Sequence, residues 1–195
     1  MKTDIILAGV GGQGILSIAA IIGMAALENK LFLKQAEVHG MSQRGGDVQS
    51  NLRISSKEIA SDLIPMGKAD LILSVEPMES LRYLPYLSQK GYLVTNTNPF
   101  NNIPDYPKNE DLISNIKSLP NHVAIDANKI ASDIGSPRSM NIVILGAASP
   151  FIDMPFESLE NGIRKIFAKK GDEIINVNLK ALKSGREFAE KEVLK

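Results

Sequence analysis

The chain has 195 residues, 22 basic and 22 acidic, with 44% hydrophobic and 23% charged residues, the make-up of an ordinary globular domain. The cancelled charge gives no global field for nucleic acid or an anionic membrane, so neither is expected as a partner. Zero Cys excludes disulfides, thiolate nucleophiles and cysteine-ligated clusters on this chain, and only two His make a multi-histidine metal site improbable; no metal is expected.

Asp4 to Ala8 reads as a short buried strand, and the uncharged run from Ile15 to Leu27 as a helix. Between them lies Gly9-Val10-Gly11-Gly12-Gln13-Gly14, with Gly9, Gly11 and Gly14 at the three glycine positions of the dinucleotide fingerprint. The three positions ordinarily supply a tight turn, close backbone approach to an anion, and close helix–strand packing. Two readings stay open: an anion held by free amides at the helix head, or glycines that only let the first helix pack on the sheet. Ile15 and Leu16 stand where a Walker motif has Lys and Ser/Thr, which disfavours nucleotide triphosphate hydrolysis. The apolar helix is too short to span a bilayer, and Asp4, the glycines and Gln13 argue against a signal peptide. A cytoplasmic location is expected.

Leu31 to Gln35 is read as the second strand, which puts Glu37 near the place of a ribose-binding acid. The run that follows to Gly46 has no helical period and crowds His39, Ser42, Gln43, Arg44, Gly45 and Gly46 into a loop kept for contact. Residues 47–54 suggest a half-exposed strand, with a return beginning at Ile59, so a hairpin-like insertion is expected. Ala69 to Val75 is a clear strand ending at Glu76-Pro77, and Pro77 suits the first turn of a helix. That helix is expected to carry Leu81, Leu84 and Leu87 inward and to stop near Lys90-Gly91, with a strand over Tyr92–Thr95 ending at Asn96.

Residues 96–109 are rich in Asn and Pro and form the longest irregular stretch. A short helix (Asp111–Ser118), a strand (His122–Ile125) and a helical turn or two (Asn128–Ile134) follow. Ser139 to Ala148 is ambiguous between strand and helix, whereas Phe156–Lys169 and Asp172–Lys191 are amphipathic helices. The alternation specifies one α/β domain over 1–195: Rossmann-like, doubly wound, with a mostly parallel sheet, flanking helices and a C-terminal helical part from about 156. Ligands of such sheets meet the carboxyl ends of the strands, which would gather Gly9–Gly14, the 37–46 loop, Glu76 and Asn96 on one edge. Gly9, Gly11, Gly12, Gln13, Gly14, Glu76 and Asn96 are therefore the ligand-binding candidates. For Glu76 a structural role at the head of a helix is the competing reading. His39 and Arg44 could steady a carboxylate or phosphate, or make subunit contacts.

The glycine loop together with Glu37-Val38-His39-Gly40-Met41-Ser42-Gln43-Arg44-Gly45-Gly46 closely resembles the gamma-type subunit of 2-oxoacid:ferredoxin oxidoreductases. Within that family it is most similar to the small, beta-type subunits of the indolepyruvate enzymes. Supporting matches are Ser50 with Arg53, Ala69-Asp70, Glu76, Asn96, Asn141 with Leu145-Gly146-Ala147, and Asn178 with Ala181 and Gly185. The resemblance implies a role inside a complex that decarboxylates 2-oxoacids oxidatively to an acyl-CoA, with CoA as cosubstrate and ferredoxin as electron acceptor. It implies a large alpha-type partner subunit carrying thiamine diphosphate and iron–sulfur clusters. The lack of Cys and of a thiamine-site pattern agrees with that division, and no catalytic residue is carried over. The competing reading is a stand-alone Rossmann enzyme using NAD(P) or flavin, weakened by the lack of an evident acid–base or nucleophile set.

Overall fold

The computed structural model describes residues 1–39 and 45–193, with His39 described by its backbone alone. The first strand, β1 (Lys2–Val10), is buried from Thr3 onward because it is apolar on both faces. Ile5 and Leu7 join the larger core, under the helix that follows, while Ile6 and Ala8 join the smaller core on the opposite face. That helix, α1 (Ile15–Glu28), buries Ile18, Ile21, Ile22, Ala25 and Ala26 on the sheet.

The next strands, β2 (Phe32–His39) and β3 (Asp47–Ser55), form an antiparallel pair, and β3 also runs antiparallel to β1. The remaining strands, β4 (Ala69–Ser74), β5 (Leu87–Asn96) and β6 (His122–Ile125), extend the sheet in parallel from β1. The order is β2-β3-β1-β4-β5-β6. It bears out the mostly parallel α/β sheet, but the antiparallel hairpin is made by β2 and β3 and not by residues 47–54 with a return at Ile59, and β3 is the neighbour of β1. β3 lies between β1 and β2, so β2 is displaced by two strand spacings, about 10 Å. Glu37 therefore does not flank the glycine loop as a ribose-binding acid would.

No strand begins at Ile59. Residues 56–68 are irregular and are held by Arg53, whose Nη1 donates to the carbonyls of Ser61 and Leu63, each at 3.0 Å. The same guanidinium grips Asp4, 1% exposed, at 2.8 and 3.0 Å. Arg53→Ala removes both the staple and a buried ion-pair partner. It should lower unfolding stability by about 3 kcal/mol in equilibrium denaturation, with Lys2 at 2.7 Å from Asp4 limiting the loss.

After β4 comes α2 (Pro77–Arg82), shorter than the leucine spacing suggested. Pro85 lacks an N–H and its ring cannot follow a helical turn, so a 3-10 turn at Leu84–Tyr86 hands the chain to β5 at Leu87. Beyond the irregular 97–108 segment lie α3 (Asn109–Lys117), β6 and α4 (Ala127–Asp133). The ambiguous stretch is helical: α5 (Met140–Ala148) is buried throughout from Ile142, so it has no polar face to show a period. The last helices are α6 (Phe156–Phe167) and α7 (Asp172–Val193). Gly146 and Gly185 let α5 and α7 touch backbone to backbone: a Cβ on Gly146 would stand 2.0 Å from the Leu182 carbonyl oxygen, and one on Gly185 1.9 Å from that of Val143.

Candidate functional site

The turn from β1 into α1 assigns its glycines differently from the fingerprint order. Gly9 is the packing position, since a Cβ there would meet Val75 Cγ2 at 2.4 Å. The left-handed φ values belong to Gly12 (100°) and Gly14 (82°). Gly11 N–H donates to the Gly46 carbonyl at 2.9 Å, so this amide is engaged within the protein rather than offered to an anion. Gln13 folds its Oε1 back to accept from the Val10 amide at 2.8 Å. Gly14 caps α1 without any side-chain bond, and Asn141 Nδ2 donates to the Gly14 carbonyl at 3.1 Å. The first amides of α1, at Ile15 and Leu16, precede any intrahelical acceptor and carry the positive end of the helix dipole.

In front of this turn lies a cleft of about 760 Å³, a size typical of small-molecule sites. Gly12, Gln13 and Gly14, with Asn141 against Gly14, line it together with Asn96 and residues 98–100 from the end of β5 onward, and with Arg138 and Lys170. Among the described residues no Asp or Glu lines it, although the chain has as many acids as bases. Two cations and an uncapped helix head, with no opposing carboxylate, favour an anion. Lys170 also lies over the Phe167 ring at 5.3 Å.

Glu76 and Asn96 lie at the same sheet edge but face their own chain. Glu76 is fully buried; its Oε2 accepts from the Glu79 amide at 2.8 Å and so caps α2. Its Oε1 accepts from the Phe100 amide at 3.3 Å and from the Tyr106 hydroxyl. Burial first, then the bond to Glu76, pushes the Tyr106 hydroxyl well above its ordinary pKa, so it stays protonated and donating. Asn96 donates to the Val75 carbonyl and to Asn128 Oδ1, and accepts from the Ala127 amide, tying β5 to the head of α4. Glu76 is thus spent on its own chain, whereas Asn96, though bonded, also lines the cleft.

Of the 37–46 loop, Gly45 (φ 78°) and Gly46 form the described foot. Gly45 N–H points to the Gly11 carbonyl at 3.5 Å, and its own carbonyl accepts from Asn102 Nδ2 at 2.7 Å. Next to it, Asp47 Oδ2 accepts from the Tyr83 hydroxyl at 3.2 Å. The loop foot and the glycine turn are thus in contact, as the sheet edge suggested. Ser42, Gln43 and Arg44 lie outside the described residues, as does the side chain of His39.

Residues 4–188 match the family model described as pyruvate ferredoxin/flavodoxin oxidoreductase. The chain belongs to this oxidoreductase family. The indolepyruvate oxidoreductase subunit IorB of Archaeoglobus fulgidus is 36% identical, over 95% of this chain and 94% of that one. The subunit of the same name from Methanothermobacter thermautotrophicus is 37% identical over 95% and 96%. A 2-oxoglutarate:ferredoxin oxidoreductase from Magnetococcus marinus, solved with 2-oxoglutarate, coenzyme A and succinyl-CoA bound, has the same fold. It aligns with a TM-score of 0.76 at 22% identity, over 97% of this chain and 31% of that one.

The family assignment leaves Arg138, Lys170 and Asn98 as cleft residues that the linear motifs did not announce. Asn141 stood among the family matches without a role; the structure gives it one, holding the Gly14 carbonyl. The length of the 96–109 stretch was the signal for Asn98, because irregular connections of that length in compact domains are usually functional or unstructured. Among the described residues no group of His, Cys, Asp and Glu could hold a metal ion, and no helix is long and apolar enough to cross a membrane.

Proposed function

We propose that this chain is the small subunit of a 2-oxoacid:ferredoxin oxidoreductase that converts aryl pyruvates, indolepyruvate among them, oxidatively to acyl-CoA in the cytoplasm. The carrying observation is the near end-to-end similarity, at 36–37% identity, to subunits named for indolepyruvate. Thiamine diphosphate and the iron–sulfur clusters belong to the larger partner. Without a single Cys, this chain has no thiolate donor for a cluster. Ferredoxin takes the electrons from the partner's clusters.

The cleft at the head of α1 suits the anionic end of CoA. Gly12 and Gly14 bring backbone close, α1 offers unpaired amides, and Arg138 and Lys170 supply charge. The 37–46 loop, with His39, Ser42, Gln43 and Arg44, docks against the large subunit beside the substrate channel. Its foot is already built into the glycine turn, which supports a loop that transmits contact to the cleft. A stand-alone NAD(P) or flavin enzyme is the less favoured reading, because Glu37 is two strands from β1 and Glu76 is occupied.

Affinity capture of the tagged chain co-expressed with its neighbouring large subunit tests the assignment. A brown complex containing iron and thiamine diphosphate is the expected product. A colourless chain that retains no large subunit would refute it.

A further inference from the structure

Residues 97–108 cross the carboxyl end of the sheet without forming a strand or helix, and Pro99, Pro104 and Pro107 contribute no amide donors. A few side-chain bonds therefore decide the path. Both feet of the turn from Phe100 to Tyr106 rest on one atom, Oε1 of the buried Glu76. Partway along, Asn102 donates to the Gly45 carbonyl at 2.7 Å. Gly45 and Gly46 in turn hold Gly11 through the 3.5 Å and 2.9 Å backbone bonds. At its near end the same segment supplies Asn98, Pro99 and Phe100 to the cleft wall.

We propose that Glu76 is a positioning residue: through Tyr106 and Asn102 its carboxylate holds the cleft wall at 98–100 and the Gly11–Gly45–Gly46 clamp as one unit. The consequence for CoA rests on the reading of the cleft given above; the bracing itself does not. Losing the Tyr106 bond frees the far foot of the turn, which has Glu76 Oε1 as its anchor. The cap on α2 uses the other oxygen and is untouched. The Tyr106 hydroxyl also meets the Met78 backbone in the first turn of α2, so exchange along α2 is read beside that of the turn.

Amide hydrogen exchange on the whole chain, followed residue by residue, is the test. In Tyr106→Phe, exchange at Phe100, Gly11 and Gly45 should speed up about tenfold while the α1 interior keeps its parental rate. Asn102→Ala should speed up Gly11 and Gly45 and leave Phe100 unchanged. Within the assembled oxidoreductase, Tyr106→Phe should raise KM for CoA about fivefold with kcat within about twofold of parent. Parental exchange at Gly11 and Gly45 in Tyr106→Phe overturns the proposal. Faster exchange there with an unchanged KM supports the bracing and removes the CoA reading of the cleft instead.

Discussion

Gly185→Ala should be the most damaging single methyl in the chain. The added carbon would stand 1.9 Å from the Val143 carbonyl oxygen and 2.8 Å from the Ala147 nitrogen, both backbone, so neither neighbour can rotate away. α7 would have to lift from α5, which is buried from Ile142 to Ala148. Overpacking of this kind costs about 3 kcal/mol or more, a large part of a total stability of roughly 5–15 kcal/mol. A fall of about 10 °C in Tm is expected for a chain of this size. Gly23→Ala is the matched control: its Cβ would meet only Leu33 Cδ2, at 3.2 Å, the end of a flexible side chain. Helix propensity gains about 1 kcal/mol there, so its stability should stay within about 1 kcal/mol of parent. Equal melting of the two variants would contradict the backbone contact between α5 and α7.

The second large effect concerns binding. Arg138 and Lys170 are exposed, line the cleft, and have no carboxylate opposite them, so replacing both by Ala leaves the core intact. A charge-assisted contact contributes about 1.5–3 kcal/mol. The double variant in the assembled enzyme should therefore raise KM for CoA at least about 30-fold, with kcat little changed and KM for the 2-oxoacid at its parental value. Added salt should weaken CoA binding to the parent more than to the variant, because screening acts on charges the variant lacks. A parental KM for CoA would remove these two residues from the site.

Legibility in the sequence followed how local each feature is. β1 and α1 could be read because burial on both faces of one and along the length of the other leaves uncharged runs. The place of β3 between β1 and β2 was not readable: pairing partners are chosen by the sheet, and Asp47–Ser55 carries the same half-exposed pattern beside either neighbour. The early end of α2 was encoded in Pro85, but the spacing of Leu81 and Leu84 pointed through it. α5 gave no period because every residue from Ile142 to Ala148 is buried.

In the site, Gly12 and Gly14 were visible as part of a motif, yet the close contacts of Gly9 with Val75 and of Gly14 with Asn141 come from residues far along the chain. Glu76 was visible as a carboxylate at a strand end. What occupies it, Phe100 and Tyr106, arrives by a path that only the folded 97–108 segment defines. Arg138 and Lys170 come from separate helical termini that no single motif spans.

The most direct measurement is ferredoxin reduction by the purified chain alone, by its large partner alone, and by the two combined, with indolepyruvate and CoA supplied. The chain alone should show no turnover, and the combined subunits should reduce ferredoxin only when both indolepyruvate and CoA are present. Turnover of indolepyruvate by the lone chain, or reduction of a nicotinamide by it, would contradict the assignment as a subunit of a larger oxidoreductase.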